Sequence, residues 1–139
     1  MITIYIDGAC LPVNPGGFAC WAYCAYDENG KCVGQDFGCI GSGDGMTNNV
    51  AEHTACNKAF ERALREDWRG CQVKSDSQLV VNQVNGSWKC NQPHLFQLLK
   101  KSAAALATLE ATIVWIPREQ NERADHLSNI AYNKARALA

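Results

Sequence analysis

The change in hydrophobic periodicity along the chain most strongly limits the folds that it can adopt. Residues 2–7 alternate between apolar and more polar side chains, which is typical of a strand, and 18–26 and 31–40 read as two further strands joined by a turn. Beyond a glycine-rich break at 41–45, the apolar residues recur with helical spacing. The first third of the chain therefore predicts three antiparallel strands, which helices from the remainder must cover.

The rest of the chain alternates predicted helices and strands. These are a helix from 47 or 48 to about 67, a strand at 71–76, a short helix at 77–85, a helix at 93–109, a strand at 112–116, a loop at 117–121 and a final helix. This order predicts one α/β domain over residues 1–139. Its five-stranded mixed sheet would be antiparallel in strands 1 to 3, would continue with strands 4 and 5, and would be flanked by helices on both faces.

The composition is that of an ordinary globular domain. With 139 residues, of which 47% are hydrophobic and 19% charged, the chain is long enough to bury a core. The apolar runs are too short to span a membrane, and the first residues lack the pattern of a secretory signal. We therefore expect a cytoplasmic monomer with no membrane association and no obligate protein partner.

Eight cysteines raise the question of disulfides. Several stand where a small apolar residue would serve, which favours reduced and buried thiols. Cys20 and Cys24 would lie about 13 Å apart on one strand and cannot bridge each other. A pairing of Cys24 with Cys32 across the predicted turn is the open alternative. The absence of paired CxxC spacings argues against a zinc site.

Four acidic residues lie at the ends of predicted elements. Asp7 ends the first strand and Asp76 ends the fourth. Glu52 and Asp125 lie in first helical turns, and Glu52 lies on the apolar stripe of its helix, where a carboxylate needs a partner such as a cation. Carboxylates that converge there would hold two divalent cations able to hydrolyse a phosphodiester. Taken singly, Asp76 has an alternative role as the cap of the helix starting at Ser77, and Asp125 as a favourable charge at a helix N-terminus.

The segments around these acids are IYIDGAC, TNNVAEH, VKSDSQLV and PREQNERADHLSN, in that order. Over about residues 2–131 they resemble type 1 ribonuclease H, specifically its compact bacterial and archaeal members. The resemblance implies a ribonuclease H-like fold in which Asp7, Glu52, Asp76 and Asp125 are the catalytic, metal-binding carboxylates, with Asp125 the most peripheral. It also implies two Mg²⁺ ions bound together with substrate, and Mn²⁺ as a substitute.

The implied function is a metal-dependent endonuclease that hydrolyses the RNA strand of RNA/DNA hybrids by a two-metal mechanism and leaves 5′-phosphate and 3′-hydroxyl ends. A formal net charge of −1 attracts nucleic acid poorly, but two divalent cations would change it to +3 beside the scissile phosphate. The alternatives are a non-catalytic hybrid-binding module, against which the four intact acids argue, and a structure-specific DNA nuclease of the same fold. The amides of TNN and DSQ favour RNA recognition.

Arg118 stands where many members of this family carry a histidine that helps to expel product. The resemblance to the compact members implies a catalytic role for Arg118 in neutralising phosphate charge. The alternative is a surface arginine paired with Glu119 or Glu122. His53 and His126 each follow an acid on a helix and point about 100° away from it, so neither is expected to replace the missing histidine.

The resemblance also implies a set of substrate-binding residues. They are Gly8, Asn14, Thr47, Asn48, Asn49, Gln78 and Trp88. Thr47 would hold a phosphate of the DNA strand and Trp88 would stack on a deoxyribose, whereas Asn14 as a turn residue and Trp88 as a core residue are the alternatives. Larger members of the family insert a basic helix and loop after the fourth strand, and this handle is absent here because the chain passes directly into one helix.

Overall fold

The computed structural model describes all 139 residues and contains one five-stranded sheet. In chain order the elements are β1 (Thr3–Leu11), β2 (Phe18–Tyr26), β3 (Cys32–Ser42), α1 (Asn48–Glu66), β4 (Gln72–Ser75), α2 (Gln78–Val84), α3 (Pro93–Leu109), β5 (Thr112–Trp115) and α4 (Glu122–Leu138). A turn of 3₁₀ helix, Arg118–Gln120, joins β5 to α4. The strand order is β3-β2-β1-β4-β5, with β1, β2 and β3 antiparallel and β4 and β5 parallel to β1. The predicted mixed sheet is confirmed.

Helices cover both faces of the sheet because alternate side chains of each strand point to opposite sides. On one face, Ile4 and Ile6 of β1 are fully buried in the main core, together with Phe60 of α1, and α3 packs against α1. On the other face, α4 buries Ala124 and Leu127 against β2. None of these helices combines the length and the hydropathy needed to cross a lipid bilayer.

The first strand is longer than the sequence predicts. It continues to Leu11, beyond the predicted end at Asp7, because β2 pairs with it along its whole length. The parallel pairing with β4 stops at Ile6 and Ser75. Asp7 is therefore paired with β2 on one side of β1. On the other side it lies directly beyond the last residue that pairs with β4, where β1 has no neighbouring strand.

All eight cysteines are free. In the register between β2 and β3, Cys24 lies opposite Gln35 and Cys32 lies opposite Tyr26, so the alternative of a Cys24–Cys32 disulfide is wrong. Burial raises the pKa of the Cys24 thiol to about 11 and that of Cys56 to about 12. These two thiols are therefore protonated at neutral pH and pack as small apolar side chains.

Candidate metal centre and substrate cleft

Three carboxylates from three separate elements meet beside β1. Asp7 comes from β1, Glu52 from α1 and Asp76 from the residue directly after β4. One carboxylate oxygen of each lies within 4.8 Å of the others, and Asp7 and Glu52 are only 6% and 7% exposed. Because like charges at this separation repel one another, the cluster calls for a cation.

Gly8 brings α1 against β1 and so places Glu52. A Cβ at Gly8 would lie 2.4 Å from the carbonyl carbon of Ala51 and from the backbone nitrogen of Glu52, so only glycine allows this approach. The backbone N–H of Gly8 donates a 2.7 Å hydrogen bond to Oε1 of Glu52. Since α1 begins at Asn48, Glu52 lies in its second turn and not in the predicted first turn.

The other oxygen of Glu52, Oε2, is buried and has no hydrogen-bond partner in the protein. A buried carboxylate oxygen without a partner is costly unless a cation binds it. Mg²⁺ and Mn²⁺ prefer hard oxygen ligands of this kind. The donor set of Asp7, Glu52 and Asp76 therefore fits a divalent cation.

Two buried polar side chains that the sequence analysis did not single out hold the aspartates. Asn121, 1% exposed, donates through Nδ2 to the carbonyl oxygen of Ile6 at 2.8 Å and to Oδ2 of Asp76 at 3.3 Å. Ser128 donates its hydroxyl to Oδ2 of Asp7 at 2.6 Å. The one sequence signal for Ser128 is its position three residues after Asp125 on the apolar stripe of the last helix.

The alternative role for Asp76 is wrong. Ser77 is the residue that caps α2, because its hydroxyl accepts a hydrogen bond from the N–H of Val80 at 3.3 Å. Asp76 is half-buried, and its carboxylate belongs to the acidic cluster.

Asp125 lies apart from the three clustered acids. It lies in the first turn of α4, as predicted, and is not among the residues whose ligand atoms fall within 4.8 Å of one another. Its charge nevertheless reaches the cluster, since Asp125 and Asp76 both raise the pKa of Asp7. This position is consistent with a peripheral ligand and also with the alternative of a favourable charge at a helix N-terminus.

The surroundings of Asp7 and Glu52 disfavour the ionised forms of these two carboxylates when metal is absent. Burial raises the pKa of Asp7 to about 7, against the opposing effects of the Ser128 hydrogen bond and the Arg118 charge. Burial also raises the pKa of Glu52 well above its usual value, and the neighbouring charges of Asp7 and Asp76 add to this effect. A divalent cation would reverse this balance by favouring the charged carboxylates.

The three acids line an open cleft of about 470 Å³. Arg118 lines the same cleft and forms no ion pair with Glu119 or Glu122, so the alternative of a salt-bridged surface arginine is wrong. A larger cavity of about 570 Å³ lies between the turn at 27–30 and the start of α4 and contains none of the four acids. Chemistry rather than volume therefore identifies the candidate site.

The asparagine-rich loops meet at the rim of this cleft. Gly8, Asn48 and Asn49 line it directly. Asn14 and Thr47 do not, because both cap α1: Oδ1 of Asn14 accepts from the N–H of Asn48 at 3.0 Å, and the Thr47 hydroxyl accepts from the N–H of Val50 at 3.1 Å. The structure thus supports a structural role for these two residues.

Gln78 and Trp88 lie outside the lining of the cleft. Gln78 is exposed at the first position of α2, and Trp88 is 46% exposed in the segment between α2 and α3. The alternative of Trp88 as a core residue is therefore wrong. Only residues 85–92 separate α2 from α3, so the chain has no additional helix there and no basic handle.

Comparison with known proteins agrees with this description. The profile of a family described as Reverse transcriptase-like matches residues 7–131. Ribonuclease HI of Halobacterium salinarum is 35% identical over 136 residues, which are 96% of this chain and 65% of that relative. The crystal structure of RNase H1 from the same archaeon superposes with a TM-score of 0.86 at 31% identity, covering 96% of this chain and 98% of that one.

A second solved structure extends the likeness. LC11-RNase H1 in complex with an RNA/DNA hybrid has a TM-score of 0.85 and 34% identity, covering 97% of this chain and 99% of that one. The chain therefore belongs to the reverse transcriptase-like family, and its resemblance to type 1 ribonuclease H is confirmed. It spans less than two thirds of the length of the halobacterial relative.

Proposed function

We propose that this chain is an endonuclease that hydrolyses the RNA strand of RNA/DNA hybrids and requires a divalent cation. The convergence of Asp7, Glu52 and Asp76 in an open cleft is the observation that carries the proposal. The likeness to LC11-RNase H1, which has been solved with such a hybrid, supports the choice of substrate.

Asp7, Glu52 and Asp76 would hold the cations, and Asp125 would complete the site from its periphery. When bound there together with substrate, two Mg²⁺ ions, or Mn²⁺ in their place, would polarise the attacking water and offset the charge on the phosphate. The carboxylates would hold both cations beside the scissile phosphate. Water would be the attacking group, so no protein nucleophile is needed. The products would be a 5′-phosphate and a 3′-hydroxyl.

The chain's own contribution is to hold the acids in place before substrate arrives. Gly8 fixes one oxygen of Glu52 through its N–H, and Asn121 binds one oxygen of Asp76. Arg118, which is not engaged in an ion pair, would place its guanidinium beside the non-bridging phosphate oxygens, where charge increases in the transition state.

Recognition of RNA would depend mainly on Asn48 and Asn49 at the rim of the cleft. Oδ1 of Asn48 accepts a 2.8 Å hydrogen bond from the N–H of Cys10, which orients this amide and leaves its NH₂ group to donate to a ribose 2′-hydroxyl. Asn14 and Thr47 would act through the helix cap that supports Asn48.

The DNA strand would meet the exposed segment between α2 and α3. Trp88 presents an open ring for stacking on a sugar, and Lys89 beside it is exposed and available to a phosphate. Gln78, exposed at the start of α2, would contact the minor groove. Since one chain supplies all of these residues, we propose a monomer, and eight free cysteines suit the reducing cytoplasm.

The test is cleavage of a labelled RNA/DNA hybrid beside matched double-stranded RNA and double-stranded DNA, with Mg²⁺ or Mn²⁺. The proteins are the wild type, Asp7→Asn and the control Asp36→Asn, which alters an exposed aspartate on β3. Selective hybrid cleavage that only Asp7→Asn abolishes is the expected result. Hybrid binding without cleavage would indicate a non-catalytic module, and cleavage of DNA alone a structure-specific DNA nuclease.

A further inference from the structure

Ser128 occupies an unusual place for a polar side chain. It lies on α4, is fully buried, and comes from the helix that packs on β1, β2 and β3. Its Oγ lies 2.6 Å from Oδ2 of Asp7 and 2.9 Å from the backbone carbonyl oxygen of Asp125. One serine hydroxyl therefore contacts two of the four acidic residues.

The hydroxyl has one proton and can satisfy these two acceptors only in turn. An ionised carboxylate is a stronger acceptor than a backbone carbonyl, and charge-assisted hydrogen bonds are the shorter ones. The 2.6 Å distance therefore indicates that the Ser128 hydroxyl donates its hydrogen bond to Oδ2 of Asp7 and not to the carbonyl of Asp125. The carbonyl of Asp125 is the acceptor to which a helical serine returns when no better acceptor is within reach.

Asp7 depends on this contact for its orientation. No other side chain donates a hydrogen bond to Asp7, and no lysine or arginine forms an ion pair with it. The nearby carboxylates of Glu52 and Asp76 repel it. A hydrogen bond to one oxygen of a short side chain limits its rotation, so Ser128 opposes movement of the Asp7 carboxylate away from the cluster.

The other two acids are held by different means. Glu52 is held by a backbone N–H and Asp76 by an amide from the loop before α4. Ser128 differs because it lies one helical turn beyond Asp125 on the same helix. A shift of α4 would therefore move Asp125 and the support of Asp7 together.

We propose that Ser128 is a positioning residue of the metal centre, whose hydroxyl holds Asp7 in the orientation that binds the cation. The inference rests on the proposed function, because it assumes that the acidic cluster binds metal. Residues that orient metal ligands through hydrogen bonds are often worth about 10–100-fold in metal affinity.

The direct test is to measure Mn²⁺ binding in the absence of nucleic acid, using electron paramagnetic resonance and calorimetry. The proteins are the wild type, Ser128→Ala, Asp7→Asn and the double variant. Ser128→Ala is expected to weaken Mn²⁺ binding about tenfold or more. Adding Ser128→Ala to Asp7→Asn should change the affinity less than twofold, because the serine acts through that aspartate.

Ser102→Ala is a matched control for the loss of a buried helical hydroxyl. Ser102 is fully buried on α3, accepts a 2.6 Å hydrogen bond from Nδ2 of Asn57 and does not line the cleft of the acids. This variant should melt at a lower temperature with unchanged Mn²⁺ affinity. Ser128→Ala should differ from it by weakening Mn²⁺ binding, because the lost hydroxyl is the one that donates to Asp7.

The outcomes separate the two proposals. If the wild type binds no Mn²⁺ without nucleic acid, a metal centre formed before substrate arrives is refuted and the role of Ser128 with it, whereas the proposed function is decided by the cleavage assay. If the wild type binds Mn²⁺ and Ser128→Ala binds it equally well, or if Ser128→Ala has the same effect with and without Asp7, the role of Ser128 is refuted. In cleavage assays Ser128→Ala should raise the half-saturating Mg²⁺ concentration while the maximal rate recovers, and a lowered maximal rate at unchanged Mg²⁺ dependence would contradict the inference.

Discussion

The backbone N–H of Gly8 lies 2.7 Å from Oε1 of Glu52, and this hydrogen bond joins β1 to α1 across 44 positions of sequence. It requires that the helix backbone pass so close to the strand that a Cβ at Gly8 would overlap the backbone at Ala51 and Glu52. The absence of one side chain in β1 thus determines where Glu52, the member of the acidic cluster from α1, is placed.

Gly8→Ala should therefore damage activity more than stability. The added methyl group meets backbone atoms of α1, so the helix must shift as a whole. We expect a loss of about 1–3 kcal/mol in the free energy of unfolding. Hybrid cleavage should fall further, because Glu52 moves with the helix. Urea denaturation and single-turnover cleavage measure the two effects.

Gly34→Ala serves as the control for this variant, because the Cβ there would meet only the flexible end of the Arg62 side chain. It should retain wild-type cleavage. A Gly8→Ala protein with the wild-type cleavage rate would show that the close approach of α1 is not needed for the site.

The metal-free protein should lose stability as the pH rises from about 4 to about 7. Burial raises the pKa of Asp7 from 3.8 to about 7, so in this range the folded state retains a proton that the unfolded chain has released. The destabilisation is absent below the pKa of the unfolded chain, 3.8, and complete above the pKa of the folded state, about 7. Thermal unfolding across this range in the presence of a chelator would reveal it.

Asp7→Asn should reduce this pH dependence, since an amide carries no ionisable proton, and Glu52, whose pKa burial also raises, should account for what remains. Mg²⁺ should stabilise the wild type more at pH 8 than at pH 5, because deprotonated carboxylates bind it. Superimposable pH profiles for the wild type and Asp7→Asn would contradict the assignment of the shifted group.

Arg118→Ala should reduce the rate of hybrid cleavage about a hundredfold if the guanidinium stabilises charge in the transition state. Stability should not change, because Arg118 forms no ion pair in the folded protein. Arg118→Lys should recover part of the rate. The control is Arg65→Ala, which removes an exposed arginine near the end of α1. An equal loss of rate in this control would indicate general electrostatic attraction of the substrate instead.

Asn121→Ala should destabilise the fold by about 1–3 kcal/mol, since it leaves the buried carbonyl oxygen of Ile6 without its side-chain donor. It should also lower cleavage, because Asp76 loses the same amide. Asn133→Ala, exposed on α4, should do neither. Chemical denaturation and cleavage assays on both variants check this, and an unaffected Asn121→Ala protein would rule out the bridging role.

The sequence predicted the sheet and the acids more fully than it predicted the groups that support them. Asp7, Glu52 and Asp76 each lie in a local pattern of strand end or helical stripe, and such patterns can be read from neighbouring residues. Asn121 contacts Ile6 across 115 positions and Ser128 contacts Asp7 across 121 positions. No local pattern indicates such partners, because they are set by how α4 packs on the sheet.

The true end of the first strand was missed for a similar reason. Local alternation stops at Asp7, whereas the strand continues to Leu11 because a partner strand is available there. Likewise, the absence of an ion pair at Arg118 depends on the fold, since the sequence offers this residue two nearby glutamates, Glu119 and Glu122.

The most direct test of the metal centre is the Mg²⁺ dependence of hybrid cleavage by the wild type, Glu52→Gln and Glu61→Gln. Glu61 lies on the same helix but is exposed and remote from the cleft, so it controls for the loss of one negative charge on α1. We predict that the wild type and Glu61→Gln cleave the hybrid with the same Mg²⁺ dependence and that Glu52→Gln does not cleave it at any Mg²⁺ concentration. Wild-type cleavage by Glu52→Gln would contradict a metal centre built on Asp7, Glu52 and Asp76.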